Sequence, residues 1–246
     1  MIELSNVTKR FTSKTAVDGL GLSIGWGELF AFLGPNGAGK TTTIKMITGL
    51  LLPTEGRVRV GDFDLVTHGR EARRLLGYVP DQPYLYDKLT GREFLQFIVE
   101  MYSIPADRAR RNLAEQIATF EMAGYVDELT ENYSHGMKQR LVFAAALVHE
   151  PRVLVVDEPM VGLDPKSARL VKDLLREQAS SGTTVFMSTH TLNVVEEIAD
   201  TIGIVDQGRL LFHGPLDDLR RQQREETSFE KLFLRITEEG VPVSSG

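Results

Sequence analysis

The sequence contains no cysteine. Disulfides and thiolate metal sites are therefore excluded, and the composition suits a reducing compartment such as the cytosol. It also lacks any apolar stretch near the ~20 residues that a membrane-spanning helix requires. Work at a membrane would have to rely on a second, spanning chain. The opening run MIELSNVTKRF has neither the basic start nor the apolar centre of a secretory signal, and reads as a strand and turn. Positive charge is not in excess. The 28 Lys and Arg stand against 34 Asp and Glu, a formal net charge of −6, which leaves no global footprint for nucleic acid. No internal repeat or low-complexity segment is visible. What is present is an ordinary globular composition. Of 246 residues 42% are hydrophobic, enough to bury a sizeable core in one or two domains.

Several short apolar runs end abruptly. Residues 30–33 run into a glycine loop, 153–156 into two acids, and 184–187 into Ser188, Thr189 and His190. Such runs suit strands buried on both faces, and the helical patterns between them indicate a parallel sheet wrapped by helices. Residues 2–7, 16–24 and 57–60 read instead as strands of a small antiparallel sheet. From about 90 to 150 the pattern is helical: Phe94, Phe97, Ile98 and Met101 share one face, and Leu113, Ile117 and Phe120 another, both expected to pack into the core. Asp164 followed by Pro165 has the form of an N-cap with proline at the first helical position, opening a helix toward Ala179. Residues 202–205 and 209–212 flank Asp206, Gln207 and Gly208, a hairpin signal. The stretch after about 216 is expected to be a polar, helical tail, with the final VPVSSG frayed.

Residues 34–42 read GPNGAGKTT, which fits the G-x-x-x-x-G-K-[ST] phosphate-binding loop. Gly34, Gly37 and Gly39 let the backbone turn so that successive N–H groups point inward at phosphate oxygens, and the helix that follows adds its positive end. Pro35, Asn36 and Ala38 complete the loop. Lys40 is placed to reach the β- and γ-phosphates of ATP, and the Thr41 hydroxyl, with Thr42 beside it, to bind Mg²⁺. An apolar strand precedes the loop, and Ile44 and Ile47 mark the helix after it. The second chemical feature is the run Val153-Leu154-Val155-Val156-Asp157-Glu158. In a phosphate-loop enzyme an acid at the end of a neighbouring strand holds Mg²⁺, a role that fits Asp157. Glu158, the next residue, points elsewhere and is free to orient and deprotonate the attacking water.

With these motifs in place, residues 1–216 resemble the ABC ATPases, and the segments 85–93, after the Q-loop, 133–140, at the signature, and 228–234, in the tail, resemble those of bacterial export-type (ABC-2) members. The signature, LSGGQ in its commonest form, corresponds to Tyr133-Ser134-His135-Gly136-Met137, the D-loop to Gly162-Leu163-Asp164, the switch histidine to His190, and the adenine-stacking aromatic to Phe11. The resemblance implies an α/β phosphate-loop NTPase of ABC type: a parallel sheet flanked by helices, an N-terminal antiparallel β-subdomain, a helical subdomain at about 90–150, and a C-terminal helical tail at 217–246. It implies that ATP with Mg²⁺ is held between two head-to-tail subunits, a homodimer or a pair with a homologous ATPase, so that Ser134 and Gly136 act in trans while His190 senses the γ-phosphate. It also implies a multi-span membrane permease as partner, with no nucleic acid. The chain would then be cytoplasmic, peripheral on the inner face of the cell membrane through that permease.

Two departures stand out. The signature keeps only its serine and one glycine. In the Q-loop, residues 77–80 are followed by Asp81 where glutamine is expected, with Gln82 one position later, so either residue is a candidate for the metal and the attacking water, Gln82 slightly the stronger. Tyr84, Leu85 and Tyr86 are candidates for the permease contact or for local packing. The competing readings are a soluble ABC ATPase acting on ribosomes or DNA and a non-catalytic ATP-binding regulator. A single phosphate loop and the absence of sustained heptads argue against the first, and intact Lys40, Asp157, Glu158 and His190 against the second.

Overall fold

The structure, a computed structural model, describes residues 1–222 and 228–239, and the VPVSSG end lies outside them. In chain order the elements are β1 (Ile2–Phe11), β2 (Lys14–Ile24), β3 (Leu29–Leu33), α1 (Lys40–Ile47), β4 (Glu55–Val60), β5 (Phe63–Asp64), α2 (Gly69–Arg74) and β6 (Leu76–Val79). There follow α3 (Gly91–Met101), α4 (Ala106–Thr119), a short 3₁₀ turn (Thr130–Asn132) and α5 (His135–Leu147). The remainder is β7 (Val153–Asp157), α6 (Pro165–Ser180), β8 (Thr184–Thr189), α7 (Leu192–Ile198), β9 (Thr201–Asp206), β10 (Arg209–Gly214), α8 (Leu216–Gln222) and α9 (Phe229–Glu239).

Two sheets form. The antiparallel one has the order β2-β1-β4-β5, and the larger one β10-β9-β3-β8-β7-β6. Within the larger sheet only the edge strand β10 runs antiparallel to its neighbour. The short apolar runs are its central strands, and their alternation divides the core. In β3, Phe30 and Phe32 face α1 and the antiparallel sheet, while Leu29, Ala31 and Leu33 face the helices on the other side. β7 divides the same way, with Val153 and Val155 on one face and Leu154 and Val156 on the other. A period of two with both faces apolar is what a sheet covered on both sides requires. On the first face the rings of Phe30 and Phe32 each lie 5.4 Å from that of Phe186. On the second, α5 is buried over almost its whole circumference from Leu141 to Leu147, as expected of a helix that is apolar all round.

The helical region differs from expectation in one respect. α3 opens with a capping box in which Thr90 accepts from the Glu93 N–H and Glu93 accepts from the Thr90 N–H. Its buried face, however, is centred on Phe94, Leu95 and Val99. Phe97 is 42% exposed and Met101 58%, so these two do not enter the core. Phe94 is buried and Ile98 packs against the core, as expected, and Leu95 and Val99 join them. The tail also packs more than its polarity suggests. Leu219, Phe229, Leu232 and Ile236 are buried, with α8 against β10 and α9 against α7 and β9.

Candidate nucleotide site

The loop between β3 and α1 is shaped by close backbone approaches. A Cβ on Gly34 would lie 2.3 Å from the Val205 carbonyl oxygen, and one on Gly39, at φ +108°, would lie 2.5 Å from that of Ala16. Neither position admits a side chain. The loop is tied from behind by the Gly208 N–H, which donates to the Ala38 carbonyl at 2.9 Å. Gly208 belongs to the β9–β10 hairpin, so the turn read from Gln207 and Gly208 also braces the phosphate loop. Lys40 is buried and folds back over the loop, donating to the carbonyls of Gly34 at 2.5 Å and Pro35 at 3.2 Å. Burial lowers its pKa from the ordinary value, opposed by the charges of Glu158 and Asp157.

β7 and β8 are in register with Asp157 opposite Ser188. The buried Ser188 hydroxyl donates to the Asp157 carboxylate. Burial raises the Asp157 pKa, and the charges of Glu158 and Asp81 act in the same direction, against the Ser188 hydrogen bond and Lys40. Glu158 then leaves the strand with φ +49°, a left-handed conformation that is uncommon outside glycine and worth about 1–3 kcal/mol when imposed on other residues. Oε1 of Glu158 lies 2.9 Å from His190 Nδ1, while its Oε2 is buried without a hydrogen-bond partner among the described residues.

These groups converge on one cleft of about 330 Å³. Its walls are Lys14 and Ala16 of β2, loop residues Pro35, Asn36, Gly37 and Gly39 with Lys40, Thr41 and Thr42, and the acids Asp81, Asp157 and Glu158. Asp81 is at the wall; Gln82, the slightly favoured alternative, is exposed and does not line it. The chain bends at Asp81 and Gln82 directly after β6: Tyr78 and Pro80 line a second groove, while Asp81 lines the cleft. Burial, with the charges of Asp157 and Asp81 added, pushes the Tyr78 hydroxyl up to about 12.

Three expected residues stand apart. Phe11, 49% exposed, ends β1 opposite Lys14, with the Lys9 ammonium 5.5 Å from its ring. Ser134 caps α5 by accepting from the Met137 N–H at 3.3 Å, and Gly136 has open space around it. Neither lines the cleft of its own chain. His135, in place of a signature glycine, lies over Gly162 with Nε2 3.4 Å from the Val161 carbonyl oxygen. Lys14, Ala16 and Ser188 were not anticipated. Lys14 and Ala16 are two apart on a strand and therefore share a face, the one signal that pointed to them.

The ABC transporter family matches residues 17–161, more than half of the chain. The chain belongs to that family. It is 37% identical over 219 residues to the linearmycin resistance ATP-binding protein of Bacillus subtilis, an alignment covering 89% of this chain and 70% of that protein. It is 35% identical to the bacitracin transport ATP-binding protein of Bacillus licheniformis, covering 94% and 74%. The fold superimposes with a TM-score of 0.91 on the ATP-binding subunit of an ABC transporter at 31% identity, covering 96% of this chain and 99% of that one. A dimeric ATP-binding cassette in a post-hydrolysis state, bound to ADP and Pi, matches with a TM-score of 0.80 at 27% identity, covering 88% and 99%. The protein is thus an ABC ATPase, with the mixed α/β architecture of that family.

Proposed function

We propose that this ABC ATPase powers export through a permease held in a separate chain, and that the cleft between the phosphate loop, Asp81, Asp157 and Glu158 is where it binds and hydrolyses ATP. The observation that carries this reading is the meeting of Lys40, Asp157 and Glu158 in one cleft, with His190 on Glu158. The donors suit Mg²⁺: the Thr41 hydroxyl and the Asp157 and Asp81 carboxylates are hard oxygens. When bound, Mg²⁺ supplies charge neutralisation between the β- and γ-phosphates.

The chain's own residues do the rest. Lys40 exchanges the loop carbonyls for phosphate oxygens. Glu158 accepts the proton of the attacking water, and His190 fixes the carboxylate through Oε1 and senses loss of the γ-phosphate. Phe11 stacks on adenine. Ser134 and Gly136 complete the site of a second subunit, consistent with their position away from their own cleft and with the dimeric assembly of the related cassette. Asp81 takes the Q-loop role. Asp81→Ala should lower turnover about 10–100-fold, the usual cost of losing an outer metal partner, with a smaller change in ATP affinity. Gln82→Ala should alter neither. Steady-state kinetics beside nucleotide titration checks this; equal effects of the two substitutions would remove the Q-loop assignment.

No helix among the described residues is long and apolar enough to cross a membrane. A groove of about 290 Å³ between β6, α3 and α5 offers the docking place for the permease. Leu50, Met101 and Tyr84 line it, and Tyr84 is 84% exposed; Tyr86 packs edge-on against Phe97 beside it, at 5.8 Å between ring centroids. Large exposed apolar groups gathered around a groove mark an interaction surface. The relatives named for resistance and antibiotic transport support export as the direction. Leu50→Ser with Tyr84→Ser should release the chain from the membrane fraction of its own cells while leaving its melting temperature unchanged. A variant that sediments with membranes like the wild type would count against this docking surface.

A further inference from the structure

Lys14 is the first residue of β2 and is exposed; among the described residues its side chain makes no hydrogen bond, ion pair or ring contact, yet it lines the nucleotide cleft. The charges there are unbalanced for an anionic ligand: Lys14 and Lys40 face Asp81, Asp157 and Glu158. Lys40 is folded into the loop, and all three acids carry or border the end of the cleft where hydrolysis is assigned. Lys14 is the free cation, and it approaches from the other side, through the β1–β2 hairpin where Phe11 is its register partner. Ala16, two residues on, presents its carbonyl to Gly39 so closely that a Cβ there would lie 2.5 Å away. β2 therefore lies against the end of the phosphate loop. Lys14 is displaced from that contact by two strand residues, about 6.5 Å, a span that a four-carbon lysine stem covers.

We propose that Lys14 is a second nucleotide-binding cation that holds the phosphate chain at its nucleoside end, between the hairpin bearing Phe11 and the phosphate loop. The inference rests on the cleft's proposed role as the nucleotide site. A group at that end meets the α- and β-phosphates, which nucleoside diphosphates and triphosphates share, and not the γ-phosphate. Lys14 therefore retains the product as well as the substrate, and contributes to how long ADP stays after hydrolysis.

The test is nucleotide titration of the full chain with Mg-ADP and, in a Glu158→Gln background, Mg-ATP. Lys14→Ala should weaken both by a similar factor, about five- to twenty-fold, between the value of an exposed ion pair and that of a charge-assisted hydrogen bond. Lys14→Arg should restore most of the affinity. The difference between Lys14→Ala and the wild type should shrink at about 0.5 M salt, where an exposed charge is screened. Unchanged ADP affinity in Lys14→Ala overturns the inference. Lys40→Ala, titrated in parallel, separates the two levels. If it also binds like the wild type, the cleft is not the nucleotide site; if it alone loses affinity, only the role of Lys14 falls.

Discussion

Glu158→Gln is expected to release phosphate from ATP about 10²–10⁴-fold more slowly than the wild type, the range for loss of a positioned base, while binding ATP at least as tightly. Glutamine has the shape of glutamate and can occupy the same left-handed backbone position at φ +49°. Its amide cannot take a proton from water. The substitution also removes one of the carboxylates facing the phosphate loop, so repulsion of the γ-phosphate falls as turnover falls. The amide oxygen can still accept from His190, provided that the Nδ1 that now lies 2.9 Å from Oε1 carries the proton. A phosphate-release assay decides the point, and normal hydrolysis would remove Glu158 from the mechanism.

Lys40→Ala should abolish tight ATP binding. Two charge-assisted hydrogen bonds to phosphate, at about 1.5–3 kcal/mol each, imply a loss of roughly 10²-fold or more. The folded chain is affected as well. The ammonium now satisfies the carbonyls of Gly34 and Pro35, and Gly34 is buried. An alanine leaves those oxygens to find other partners, at a cost of about 1–3 kcal/mol if one stays unsatisfied. A thermal melt beside the nucleotide titration separates weakened binding from weakened folding. A folded variant with wild-type affinity would sink the phosphate-loop assignment.

The features legible in the sequence were those with local causes. The phosphate loop, the acids ending β7, the Asp164 cap of α6 and the hairpin around Gly208 each depend on residues within a few positions of one another. What could not be read depends on distant neighbours. β3 lies between β8 and β9, strands more than 150 residues later, and no local pattern specifies that order. The partner of Asp157 is Ser188, 31 residues away, and Ser188 looks in sequence like the ordinary end of a strand. Phe94 and Ile98 lie against the core as expected, but Phe97 and Met101 are exposed while Leu95 and Val99 are buried, because the phase of an amphipathic helix is set by what it packs against. Asp81 and Gln82 are adjacent in a bend, and which of the two lines the cleft depends on how that bend sits against the phosphate loop, which no local pattern specifies. Lys14 carries no motif, and only the packing of β2 against the loop brings it to the cleft.

The proposed site is completed in trans, with ATP held between Lys40 of one subunit and Ser134 of another. Size-exclusion chromatography of Glu158→Gln, with and without Mg-ATP, tests it most directly. A monomer is expected without nucleotide and a species of twice the mass with Mg-ATP, because ATP that is not hydrolysed keeps the two subunits joined. A variant that binds ATP, fails to hydrolyse it and still elutes as a monomer would contradict the shared site.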